Sequence, residues 1–141
     1  EHFGSGNLLS PENEGTIVFV DTDRQIVYIS GMGYAIGHYA RWVKRGAVRI
    51  DATSRDPLVL VTGFQDSNSK RIILVFINNA SVDKNLTVQV NGVTLTGDIA
   101  GEQSTAAARW QPLVPFALAT SNTFSLQLPA LSVITIAGQI Q

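Results

Sequence analysis

The sequence predicts a mainly β domain, a two-sheet antiparallel β-sandwich of eight or more strands with one helix near residues 33–45. Three observations carry that expectation. Val, Ile and Thr make up 37 of the 141 residues, and β-branched side chains, stiff at their first torsion, suit the pleated surface of a sheet. Clusters of Gly, Asn, Asp and Ser punctuate the chain at short intervals, which is turn chemistry. Several runs alternate apolar and polar residues, so each strand buries one face, the pattern of two packed sheets.

Length and charge bound what such a domain does. At 141 residues the chain is long enough for one domain with a sizeable core. The 10 basic and 11 acidic side chains leave a net charge of -1, so nothing electrostatic points to nucleic acid or an anionic membrane. The absence of cysteine excludes disulfides and thiolate metal sites. No apolar run approaches the roughly 18 residues that span a bilayer. Without an initiator Met or a signal peptide at its start, the chain reads as a mature form or an excised piece.

Residues 1–15 show no periodicity and read as a loop or a cut end. Two apolar runs, 16–20 and 25–30, flank Asp21-Thr22-Asp23-Arg24, the spacing of a hairpin with a four-residue connection. Ile36, Tyr39, Ala40 and Val43 then fall at helical spacing and predict one apolar helix face. Lys44 and Arg45 suit the negative end of the helix dipole, and Gly46 suits its termination. Strand character returns at 47–54 and 57–65. Residues 70–79 are apolar on both faces (Ile72, Leu74, Phe76 against Ile73, Val75, Ile77), which predicts a central, twice-covered strand. Asp66-Ser67-Asn68-Ser69 joins the last two as a hairpin loop. Leu86, Val88 and Val90 alternate with polar residues, as do Phe124, Leu126 and Leu128, and residues 131–138 close the chain. Between them, 93–122 read as weaker strands and a Trp110-Gln111-Pro112 turn.

Candidate chemistry is sparse. A glycosidase needs two carboxyls about 5–9.5 Å apart, yet the four Glu are Glu1, Glu12 and Glu14 in the loop and Glu102 in an apparent Gly-Glu-Gln turn. Asp21 and Asp23 sit at a solvated hairpin tip, where little shifts a pKa. His38, beside Arg41 and Tyr34 on the helix, reads as a packing or interdomain residue, and no G-x-S-x-G elbow occurs. Two histidines without cysteine make a transition-metal site improbable. The loop from Asp66 to Lys70 opens like a Ca²⁺ site but lacks its Gly and distal Glu, so a hairpin turn is expected. Gly31-x-Gly33 is too short for a dinucleotide fingerprint, and Gly33-x-x-x-Gly37 suits close helix packing. No catalytic residue, metal or cofactor is expected. Cations gather at Arg41, Lys44, Arg45, Arg49 and Arg55, a solvated face or a partner surface. Asn79-Ala80-Ser81 and Asn85-Leu86-Thr87 are N-glycosylation sequons.

Residues 34–54, YAIGHYARWVKRGAVRIDATS, resemble the junction of glycoside hydrolase family 30, where the last barrel helix runs into a C-terminal β-sandwich. Ala40 stands where the family usually has Ser, and Arg45 where it has Pro. Ile73-Leu74-Val75-Phe76-Ile77-Asn78-Asn79 and the closing residues 123–136 are similar to two further segments of that sandwich, in the right order. The resemblance spans roughly residues 16–138. It implies a side domain fused to a (β/α)8 barrel that cleaves β-linked polysaccharides with retention, its catalytic glutamates upstream of residue 1. Residues 16–46 then correspond to barrel-type strand and helix packed on a sandwich of residues 47–141. It also implies an extracellular or periplasmic enzyme.

The lead reading is therefore a non-catalytic accessory domain that supports the catalytic barrel and contacts polysaccharide. Trp110, in its polar setting of Arg109 and Gln111, is the best candidate for stacking a sugar ring, with packing as the alternative; Trp42 is expected to be buried. A stand-alone carbohydrate-binding module and a ligand-free self-associating domain are the other two readings. Exposure of the helix face predicts a homo-oligomer through residues 16–45.

Overall fold

The computed structural model describes residues 16–118 and 122–141. The loop expected at 1–15, with Glu1, His2, Glu12 and Glu14, lies outside them. The chain divides into two compact units between Gly37 and His38.

In the first unit, β1 (Val18–Asp21) and β2 (Ile26–Ile29) pair antiparallel with Asp21 opposite Ile26, the predicted hairpin. Asp21 fastens its own turn: its Oδ1 accepts the Arg24 amide at 2.9 Å. Ser30 then caps α1 (Gly31–Trp42), its Oγ accepting the Gly33 amide at 3.0 Å, which satisfies one of the helix's orphan donors. Gly33 is there for close packing, because a Cβ would come within 2.6 Å of the Ile29 side chain. The hairpin leaves Val20 and Val27 61% and 63% exposed.

The second unit is the sandwich. Its larger sheet runs β3 (Val48–Ile50), β4 (Val59–Asp66), β5 (Arg71–Asn78), β10 (Ser132–Ile140), β7 (Leu95–Ser104), β8 (Gln111–Pro112), antiparallel throughout. The smaller sheet pairs β6 (Lys84–Gln89) with β9 (Thr123–Leu128). Alternation decides the core. Phe124, Leu126 and Leu128 of β9 are buried beside Ile72, Leu74 and Phe76 of β5 and Ile134 and Ile136 of β10. Each such side chain contributes about 1.5–3 kcal/mol on leaving water. The strand apolar on both faces is central, as expected: β5 lies between β4 and β10, and Ile73 and Val75 are buried on its other face.

Asn78 ties the two sheets. Fully buried, it donates through Nδ2 to the carbonyls of Val82, Leu128 and Pro129 at 2.8–3.2 Å and accepts the Ala80 amide at 3.0 Å. One amide thus satisfies backbone groups where both sheets turn, groups that would otherwise be buried without partners.

Several local expectations are corrected. The helix ends at Trp42 rather than 45, because Lys44 to Ala47 form a turn, with Gly46 at φ 94°, that reverses the chain into β3. Arg41, not Lys44 or Arg45, is therefore the cation in the last turn. The helix face is rotated by one residue: Ile36 and Ala40 are exposed, while His38 is fully buried, flanked by half-buried Ala35, Tyr39 and Trp42. Trp42, expected to be buried, is only half-buried. Within 93–122, β7 is the longest strand of the sheet at 10 residues. Its Gly101-Glu102-Gln103 is mid-strand, not a turn, and a Cβ on Gly101 would strike the Thr135 carbonyl oxygen of β10. Trp110 does occupy a turn, at φ 48°, but Gln111 and Pro112 pair with β7.

Candidate functional site

Side chains alternate along β7 and β10, so the strands that give Ile134 and Ile136 to the core give Glu102, Ser104 and Thr135 to the opposite face. On that outer face lies the end of α1. His38 Nδ1 lies 2.9 Å from Thr135 Oγ1, and Nε2 lies 2.9 Å from Ser104 Oγ. Ser104 Oγ also accepts the Trp110 amide at 2.9 Å, and the Thr135 hydroxyl points to the His38 carbonyl at 3.5 Å. The arrangement in which every hydrogen meets an acceptor has the neutral imidazole donating from Nδ1 to Thr135 and accepting from the Ser104 hydroxyl at Nε2. Burial holds the His38 pKa below the usual histidine range; the Glu102 carboxylate opposes that shift and the Arg41 guanidinium reinforces it.

Arg41, one turn on, grips Glu102 with two parallel bonds, Nε to Oε1 at 3.1 Å and Nη2 to Oε2 at 3.0 Å. Glu102 is 4% exposed, so this fork compensates a carboxylate taken out of water. The same guanidinium lies 4.8 Å from the centroid of the Trp110 ring, within cation–π range. Tyr39 completes the seam, its hydroxyl 2.9 Å from Thr62 Oγ1 and its ring edge-on to Phe64. The Ser104–His38 contact has the spacing of a nucleophile and its base, but His38 is wholly buried and no substrate reaches it. The network is a clamp that fixes the helix end to the sheet.

The predicted site residues are drawn into this clamp unequally. Trp110 is half-buried with Arg41 over its ring, whereas Arg109 and Gln111 are exposed. Gln111 pairs with Gln103, which lines an open groove of about 360 Å³ together with Val114, Phe116, Ser125 and Gln127. Asp21 and Asp23 remain at the hairpin tip, Asp21 within 3.9 Å of Arg24. Asp66 turns inward on its own loop, accepting the Asn68 and Ser69 amides and the Ser69 hydroxyl at 2.7 Å, and that hydroxyl bond leads the causes that lower its pKa. The turn reading of that loop therefore holds. Among the described residues no cluster of three or more His, Asp or Glu could hold a metal ion, and no helix is long and apolar enough to cross a membrane. Sequence spacing does not point to Ser104 and Glu102 as partners of His38 and Arg41, because 66 and 61 residues separate them and only the fold brings them together.

The family model described as the glycosyl hydrolase family 30 β-sandwich domain matches residues 46–136. The chain belongs to that family. It is 33% identical over 108 residues to glucuronoxylanase XynC of Bacillus subtilis, an alignment covering 76% of this chain and 25% of the relative. Among solved structures, a family 30 subfamily 8 xylanase of Clostridium acetobutylicum superposes with a TM-score of 0.76 at 21% identity, over 85% of this chain and 30% of that one. The catalytic domain of family 30 xylanase C from Talaromyces cellulolyticus gives 0.70 at 24% identity, over 87% and 27%. The chain thus spans about a quarter of the length of the curated relatives it matches and covers the β-sandwich side domain, the catalytic barrel belonging to the remainder of those enzymes.

Proposed function

We propose that this domain supports the catalytic barrel of a secreted family 30 enzyme acting on β-linked polysaccharide. The observation that carries this reading is the outer face of the larger sheet. Beyond the clamp, Leu60, Ile77 and Val133 stand directly opposite one another on neighbouring strands, and Leu60 and Leu131 are 51% and 64% exposed. A contiguous apolar strip beside a helix clamped to the same face is what an adjoining domain would cover. In the test, this chain is fused behind a family 30 barrel. The fusion is expected to raise the barrel's Tm, and Leu60→Asp with Leu131→Asp to remove the gain; an unchanged Tm in the fusion would sink the reading.

Carbohydrate contact is the second part of the proposal. Gln111 lies opposite Gln103, a lining residue of the groove, and is followed along the chain by the lining residues Leu113, Val114 and Phe116; a groove with an aromatic ring and amide side chains suits a glycan chain, with Arg109 and Trp110 at the turn that leads into it. Calorimetry against xylan and β-1,6-glucan tests it: saturable heat lost on Trp110→Ala supports it, and no heat overturns it. Exposed Val18, Val20, Ile26 and Val27 also make self-association through residues 16–45 the expected behaviour of the isolated chain. A single monomeric mass by light scattering across micromolar concentrations would contradict that.

A further inference from the structure

Asparagine followed by glycine is a reactive pair. The side-chain amide carbon of the first lies within reach of the backbone nitrogen of the second, and an attack within one chain needs no encounter. The fold treats the asparagines of the described residues differently. Asn78 is buried with its side chain bonded at both ends, and the amide that follows it donates to the Leu58 carbonyl at 2.8 Å. The amides after Asn68 and Asn79 are engaged too, with Asp66 Oδ1 at 3.3 Å and Asn78 Oδ1 at 3.0 Å. Asn85 lies inside β6, its neighbours on both sides paired with β9. The Asn122 side chain is held, accepting the Leu95 amide at 2.7 Å and donating to the Val93 carbonyl at 2.6 Å. Asn91 differs from all of these. It is exposed in the connection that carries the chain from β6 to β7, and so from one sheet to the other. Among the described residues no hydrogen bond engages its side chain or the Gly92 amide. Gly92 has φ 81°, and nothing lies within 4 Å of the place a Cβ would take, so no side chain screens its nitrogen.

We propose that Asn91-Gly92 is a site of spontaneous deamidation and that the fold confines the reaction to it. The Gly92 nitrogen gives its proton to hydroxide and attacks Asn91 Cγ. The Cγ–Nδ2 bond breaks, the departing nitrogen takes a proton from water and leaves as ammonia, and a succinimide ring is closed. Water then opens the ring. Cleavage of the new N–Cγ bond leaves aspartate, whereas cleavage at the main-chain carbonyl leaves isoaspartate, whose backbone runs through Cβ and Cγ and is one atom longer. Either product adds a negative charge. The longer backbone must be absorbed between fixed points, because Val90 and Val93 pack on the core and Leu95 is buried. Asn122 holds all three, its carbonyl accepting the Val90 amide at 2.9 Å and its side chain bonding Val93 and Leu95. Isoaspartate therefore strains the crossing between the sheets, and aspartate does not. The reaction concerns the sandwich alone, so it stands or falls independently of barrel support and carbohydrate contact.

The test incubates the 141-residue chain in mildly alkaline buffer made with heavy-oxygen water, folded and in urea, and maps its peptides by mass spectrometry. In the folded chain, labelled aspartate and isoaspartate are expected at Asn91 at least about tenfold faster than at Asn68, the equivalent of ~1.4 kcal/mol in barrier. Urea frees the Ser69 amide, so it should speed Asn68 severalfold and leave Asn91 within about twofold of its folded rate. Asn91→Gln should remove the early acidic form seen by anion exchange, with the urea midpoint unchanged. Hydrogen exchange at Val90 and Leu95 should rise in the purified isoaspartate form and stay unchanged in the aspartate form. Conversion of Asn91 in urea alone would mean that the fold protects it, which overturns the site. Folded-chain conversion at Asn68 as fast as at Asn91 overturns the confinement, and unchanged exchange at Leu95 in the isoaspartate form overturns the strain.

Discussion

On its inner face the larger sheet presents Ile72, Leu74, Phe76, Ile134 and Ile136 to the smaller sheet; on its outer face it presents Glu102, Ser104 and Thr135 to His38 and Arg41. Both faces are buried where they are covered, but their cohesion differs in kind. The inner face is non-directional and tolerates neighbours of roughly the right volume. The outer face works only while each donor has its acceptor, since a buried polar group that loses its partner costs about 1–3 kcal/mol. A strand can therefore serve an oily core on one side and a polar clamp on the other, and the clamp sets where the helix ends up.

The contrast can be broken from either side. The largest effect belongs to the inner face: Phe124→Ala should destabilise the chain by about 3–5 kcal/mol, read from urea unfolding. Next comes the clamp. Arg41→Met strands the Glu102 carboxylate, and about 2–3 kcal/mol is expected, below the range for fully buried pairs because Arg41 is itself half exposed. Glu102→Gln in the same background should recover part of that loss, whereas a cost carried by Arg41 packing alone would not be recovered.

Acid separates the faces more gently. His38 in the folded chain lies below its unfolded value of about 6.5, so the unfolded state takes the proton first. Stability is then full above about pH 6.5 and falls as the pH drops from there through the lowered folded value. His38→Gln should flatten that slope, as measured by urea midpoints across the range. Asp56 and Asp66, also lowered, lose their contributions only as the pH falls below the ordinary carboxylate value near 3.8, so their losses begin well below the pH at which that of His38 begins. Lys84→Met, which removes the 2.8 Å pair with Asp56, should change the midpoint least, because water still reaches both partners and leaves little net energy.

What could be read in advance follows the same division. Alternation is local, so β6, β9, the two-faced β5 and the β1–β2 hairpin are visible in the sequence, as is the Asp66 turn. The clamp is not. His38 breaks the apolar stripe of α1, and the helix is rotated by one residue because a buried histidine outranks Ile36 once Ser104 and Thr135 are beside it. Glu102 between Gly101 and Gln103 has the look of a turn, yet Gly101 is there to let β10 approach and Glu102 to meet Arg41, a partner no local window contains. The family resemblance was legible for a different reason: its motifs run through α1 and the strands that carry both faces, and the match over residues 46–136 confirms the sandwich they imply.

The central claim, that the outer face is where the catalytic barrel rests, is tested most directly by amide hydrogen exchange on this chain alone and fused behind a family 30 barrel. The account predicts added protection in the fusion at Leu58–Leu60, Ile77 and Leu131–Val133, and none at Ser125 and Gln127 along the groove. Equal exchange at Leu60, Ile77 and Val133 in both forms would contradict it.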